Sequence, residues 1–135
     1  MRRVRVASPS SPVAPVDALL DAPAGRLWQV LCGDAGHWRL GFYSPALTCP
    51  RDCVELERHS CPELFLLLSG SVSLVLAESG RLRTLALELG RPALITAPHS
   101  GFCPEGPHKG VALVVERDSF ETEYRSAQEW LSGVP

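Results

Sequence analysis

The sequence predicts an all-β domain, a barrel or double-sheet jelly roll, and three observations carry that prediction. Short apolar runs recur at regular spacing, at 26–32, 37–43, 54–59, 63–69, 71–77, 82–89, 93–97 and 110–117. Turn residues separate them: G-D-A-G at 33–36, S-G at 79–80, G-R-P at 90–92 and P-E-G-P at 104–107. No long helical period interrupts the series, which counts against a parallel α/β sheet.

Taken in order, the chain begins with a basic Met-Arg-Arg-Val-Arg that no apolar segment follows, so no signal peptide is expected. Residues 7–16, A-S-P-S-S-P-V-A-P-V, are rich in serine and proline and read as extended or disordered. Asp17 to Leu20 reads as a short helix-like piece. The expected organisation is an arm over 1–24 and one barrel over 25–135. A chain of 135 residues with 45% apolar content suits one domain with its own core. At the end, Asp118 and Glu121 resemble a capping box, and Tyr124, Ala127 and Leu131 follow at helical spacing. A short C-terminal helix ending near Gly133 is expected there.

The run around which the rest is organised is E-R-H-S-C-P-E-L-F-L-L-L-S-G, from Glu57 to Gly70. Its first half carries groups able to bind a metal or a proton: Glu57, His59 and Glu63. Alternation with period two puts Glu57 and His59 on one face, and Glu63 follows at an even offset. The apolar run then breaks at Ser69-Gly70 and resumes as S-V-S-L-V-L-A, which reads as a hairpin. Leu64, Leu66, Leu68, Val72, Leu74 and Leu76 keep period two across the break and are expected to share the interior.

Composition excludes several function classes. A net charge of −2 argues against nucleic acid as the main partner, and no apolar run is long enough to span a bilayer. Five cysteines, an odd number without an export signal, read as reduced thiols of a cytoplasmic protein. Cys49-x-x-x-Cys53 with Cys61 nearby offers a looser alternative, a structural zinc site.

The central run also resembles the first motif of the cupins. That motif is Gly, five residues, His-x-His, three or four residues, Glu, six residues, Gly. His59, Glu63 and Gly70 match its second half in register, while Glu57 stands at the first histidine and Arg51 at the leading glycine. G-R-P-A-L-I-T-A-P-H-S-G-F, from Gly90 to Phe102, is similar to the second motif and reaches Pro98-His99 with altered spacing. The resemblance covers 40–117 and implies a cupin-type double-stranded β-helix, a jelly-roll barrel.

It further implies a metal set of Glu57, His59, Glu63 and His99 converging at one end of the barrel. Such a mixed imidazole and carboxylate set suits iron(II), manganese, zinc or nickel. His108 is an alternative last ligand if the 98–108 loop folds back. His37, beside Trp38, lies either in the pocket or on the outer face.

The tail V-A-L-V-V-E-R-D-S-F-E-T-E-Y-R, from Val111 to Arg125, is similar to small cupins that isomerise keto groups on nucleotide-linked sugars. That likeness implies metal-free acid/base catalysis by His59 or by a Glu63 of raised pKa. A third reading is a non-catalytic cupin that holds a small polar ligand, with Trp28, Trp38, Phe42 and Phe102 lining the mouth. A homodimer is expected, because a barrel edge and a proline-rich arm both invite pairing, with residues before about 25 in the contact.

Overall fold

The computed structural model of the chain describes residues 1–6 and 16–133. Among these residues it contains eleven strands and one α-helix: β1 (Arg2–Val6), β2 (Trp28–Asp34), β3 (Trp38–Tyr43), β4 (Glu55–His59), β5 (Glu63–Ser69), β6 (Ser73–Glu78), β7 (Arg81–Ala86), β8 (Ala93–Ile95), β9 (His99–Phe102), β10 (Val111–Arg117), β11 (Phe120–Ser126) and α1 (Ala127–Ser132). They form two antiparallel sheets, one ordered β1-β11-β4-β9-β6-β7 and the other β2-β3-β10-β5-β8. The expected all-β jelly roll with a short C-terminal helix is the architecture found.

The main core lies between the sheets. Phe65 and Leu67 of β5, Leu74 and Leu76 of β6, and Ala112 and Val114 of β10 meet there. Alternation is the reason: each strand presents every second side chain to the opposing sheet. A smaller cluster of Cys53, Leu56, Val75 and Phe102 sits on the outer face of the six-stranded sheet. Trp130 of α1 covers it and donates from Nε1 to the Leu56 carbonyl at 3.0 Å. The helix thus closes the back of β4 and leaves its front for Glu57 and His59.

Several expectations need correction. The break at Ser69-Gly70 is a corner, not a hairpin: β5 pairs with β10 and β8, whereas β6 pairs with β7 and β9 in the other sheet. Gly70 makes that corner possible. Its φ is +64°, and a Cβ there would lie 1.8 Å from the Lys109 carbonyl oxygen. Parity changes across the corner as well. Val72, Leu74 and Leu76 are interior, but on β5 the buried positions are Glu63, Phe65 and Leu67, while Leu64 and Leu66 are half-buried and Leu68 is exposed. Glu63 and Leu64 cannot share a face under period two, and the inward glutamate decides the register.

The C-terminal helix is shorter than expected. Residues 120–126 form β11, whose Phe120 and Thr122 face inward at alternate positions. Asp118 precedes a strand rather than a helix; it is buried and its Oδ2 accepts from the Gly36 amide at 2.7 Å. The capping box belongs instead to Ser126 and Glu129, and Gly133 ends the helix in the left-handed conformation. Asp17 to Leu20 holds bends rather than helix.

Three strands lie outside the runs read from the sequence: β1, β9 and β11. β1 pairs with β11 along its whole length, from Arg2↔Tyr124 to Val6↔Phe120. The serine- and proline-rich stretch falls, but for Val16, outside the described residues.

Candidate metal centre

β4 carries Glu57 and His59 two residues apart, so both side chains leave the same face. On that face β9 lies beside β4, with His99 directly opposite Glu57 in the ladder. A short turn after His59 carries the chain across to the other sheet, where Glu63, the first residue of β5, faces inward. The four residues therefore arrive from two sheets at one place. His99 belongs to a strand rather than to a loop, and the β4–β9 pairing holds it there.

Glu63 Oε1 stands 2.9 Å from His59 Nε2 and 3.0 Å from His99 Nε2. Glu57 Oε1 is farther, at 3.5 Å from His59 Nε2 and 3.9 Å from His99 Nε2. The two imidazole rings meet edge to face with centroids 5.6 Å apart. Both rings and Glu63 are less than a tenth exposed, whereas the Glu57 side chain is 33% exposed. Glu57 therefore marks the open side of the group.

The outer nitrogens of both rings are anchored. His99 Nδ1 lies 2.9 Å from the Ala97 carbonyl oxygen, which only accepts, so Nδ1 carries the proton and donates it. His59 Nδ1 is 2.7 Å from the Thr122 hydroxyl. Each ring thus turns Nε2 towards Glu63 and Glu57.

The group lines a cavity of about 360 Å³ between the sheets. Its walls add Trp28, Tyr43, Phe65 and Tyr124, together with a buried Arg39–Glu116 ion pair. Of the aromatics expected at the mouth, only Trp28 lines this cavity. Trp38 is exposed, Phe42 is buried elsewhere, and Phe102 sits under α1 on the opposite face. His37 lies in the exposed β2–β3 turn. His108 turns its Nδ1 to the Ser44 carbonyl, away from the cavity walls. The five cysteines are unpaired, and no candidate metal group among the described residues includes one.

Comparison with known proteins bears on the architecture alone. No protein-family model and no curated protein matches the sequence. Solved structures do share its fold: iron(II) HppE aligns with a TM-score of 0.53 at 11% identity, over 78% of this chain and 62% of that one. Hydroxypropylphosphonic acid epoxidase from S. wedmorenis, in complex with fosfomycin, aligns with a TM-score of 0.50 at 12% identity, over 73% of this chain and 58% of that one. The fold is that of the cupins. The chain spans about three-fifths of the length of these two proteins.

Within this cupin barrel the electrostatics follow from burial and pairing. Burial alone would lower the His59 pKa, but the close carboxylates of Glu57 and Glu63 override it and hold the ring up to about 10. His99 is likewise raised, because Glu63 outweighs its burial. Burial pushes Glu63 up, yet the two imidazoles win and lower it to about 2. A Glu63 of raised pKa, expected as a proton carrier, is therefore not what the barrel builds. Glu116 behaves oppositely: burial and the neighbouring Glu63 charge raise it to about 7 despite Arg39.

Arg39 and Glu116 escaped the sequence reading, although a signal existed. Period two along β10 puts Glu116 on the same inward face as Ala112 and Val114, so a charge stands where the pattern demands an apolar side chain. Its partner could not be read, because β3 and β10 meet only in the folded sheet.

Proposed function

We propose that this protein is a metal-binding cupin in which Glu57, His59, Glu63 and His99 hold a divalent cation facing a small polar ligand. The observation that carries this reading is Glu63 Oε1. It is buried, stands 2.9 and 3.0 Å from two imidazole nitrogens, and has a hydrogen bond from neither. Neighbouring ligands of an octahedral cation with bonds of roughly 2.1 Å are about 3 Å apart, so this spacing suits donors around a shared ion.

The rest of the donor set fits. With Nδ1 of His99 bound to a backbone carbonyl, a neutral ring offers its Nε2 lone pair, the usual supporting arrangement of a metal-binding histidine. The Thr122 hydroxyl, 2.7 Å from His59 Nδ1, fixes the orientation of that ring. With both rings neutral, three carboxylates and one guanidinium leave the cavity net negative, which a divalent cation offsets. The mixture suits iron(II), manganese, zinc or nickel. When bound, such a cation polarises an oxygen of a ligand placed against it. Trp28, Tyr43 and Tyr124 would pack against that ligand and exclude water, and Glu57 guards the open side.

A metal-free proton-transfer reading rests on His59, which lies between Glu57 and Glu63. It has less support: an imidazole held at about 10 keeps its proton at neutral pH and neither gives nor takes one readily, and Glu63 at about 2 is a weak base. The unpaired thiols suit a reducing cytoplasm. No helix among the described residues is long and apolar enough to cross a membrane. A homodimer is part of the proposal, supported by the open edge that β1 presents.

Elemental analysis of untagged protein, followed by calorimetric titration of the stripped protein with each of the four metals, tests the reading. A near-stoichiometric metal that His59→Ala and His99→Ala both lose is the expected result. A protein that retains none of the four and binds none of them overturns it.

A further inference from the structure

Two buried carboxylate oxygens lack a hydrogen-bond partner among the described residues, Glu63 Oε1 and Glu116 Oε2. The proposed cation accounts for the first. The second lies on β10, in the sheet opposite β4 and β9, on a side chain only 2% exposed. Leaving a buried carboxylate oxygen unpartnered is costly, so this oxygen calls for an occupant.

Glu116 is held in a way that presents that oxygen. Its Oε1 accepts from Arg39 Nε at 2.9 Å and pairs with Arg39 Nη2 at 2.8 Å. The guanidinium is itself stacked, with its centre 5.1 Å from the Phe120 ring and 5.7 Å from the Trp28 ring. A carboxylate tied by one oxygen to a fixed cationic fork keeps the other oxygen at a set place, as a monodentate metal ligand requires. Glu116 lines the same cavity, and ligand atoms of His59, Glu63 and Glu116 lie within 4.8 Å of one another.

Resting on the metal-binding reading above, we propose that Glu116 is a direct ligand of the divalent cation, contributing Oε2 from the opposite sheet with Arg39 as its positioning residue. The centre is then more carboxylate-rich than Glu57, His59, Glu63 and His99 alone make it, which favours cations that prefer oxygen donors. A proton shared between Glu63 and Glu116 is the rival explanation of the two unpartnered oxygens.

Cobalt(II) binding to stripped, untagged full-length protein separates these readings, because its visible absorption reports coordination number and donor type. Wild type is compared with Glu116→Gln and with the double variant Arg39→Met/Glu116→Leu, which leaves no buried unpaired charge if the single variant folds poorly. Direct ligation predicts a dissociation constant raised at least about tenfold and a changed cobalt spectrum in whichever variant is folded. Unchanged affinity and spectrum overturn the proposal and leave the shared proton. Weaker binding with an unchanged spectrum also overturns it, since Glu116 then acts only through packing. Wild type that binds no cobalt, zinc, manganese, nickel or iron overturns the metal-binding reading itself.

Discussion

Arg39 and Glu116 stand opposite each other across the β3–β10 ladder, both buried, with Arg39 Nη2 2.8 Å from Glu116 Oε1. The pair sits in the wall of the cavity that the inward-facing Glu57, His59, Glu63 and His99 also line. Buried charges of this kind stabilise little as a pair but are costly to separate.

Arg39→Met alone is therefore expected to destabilise the metal-free protein by about 3–5 kcal/mol, whereas Arg39→Met/Glu116→Leu recovers most of that loss. Urea unfolding followed by circular dichroism measures both. A single variant as stable as the double one would mean that Glu116 stays neutral without its partner.

The β5 register makes a second pair of variants informative. Leu67→Ala, inside the core, should cost roughly 2–5 kcal/mol, and Leu66→Ala, half-buried on the outer face, clearly less. A larger cost for Leu66→Ala than for Leu67→Ala in chemical denaturation would argue for the opposite register.

Gly70→Ala combines a positive φ with a Cβ 1.8 Å from the Lys109 carbonyl oxygen. The corner must move, so a loss well above the ~1 kcal/mol typical of glycine in a left-handed site is expected. Thermal unfolding of the variant checks this, and an unchanged midpoint would place Gly70 outside a tight corner.

The His59–Glu63 contact contributes two opposed shifts to the pH dependence of the metal-free protein. His59 is held at about 10 against an ordinary 6.5, so its contribution is complete below pH 6.5 and is lost as pH rises towards 10. Glu63 is held at about 2 against 4.5, so its contribution is complete above pH 4.5 and is lost as pH falls towards 2. Stability from this group is greatest between these windows, near pH 4.5–6.5. Metal affinity should move the other way, rising with pH because the cation needs neutral imidazoles. Calorimetric scans in chelator at pH 5, 7 and 9 should show a falling midpoint, and His59→Gln should flatten that fall.

The dimer proposal predicts that removal of residues 1–20, β1 included, shifts the protein to monomer in sedimentation velocity. A full-length monomer, or a truncated protein that remains dimeric, would show that the arm plays no part in association.

Much of the fold was legible in the chain because strand formation is local. Period two, turn glycines and the absence of a long helical repeat suffice for a two-sheet all-β domain, and the run from Glu63 to Ser69 is a strand with the bounds read from the sequence. The even spacing of Glu57 and His59 likewise placed both on one face before any folding was considered. What the sequence could not decide are relations between distant segments. Whether Ser69-Gly70 makes a hairpin or a corner depends on the Lys109 carbonyl packed against it, and the parity of β5 depends on which sheet covers it. Residues 120–126 carry both a helical and a strand pattern, and pairing with β4 and β1 selects the strand. The Arg39–Glu116 pair joins positions 77 residues apart, so only the β3–β10 ladder brings a buried cation to a buried carboxylate. Local periodicity is written in neighbouring residues, whereas burial and charge pairing are properties of surfaces that exist only after the two sheets close on each other.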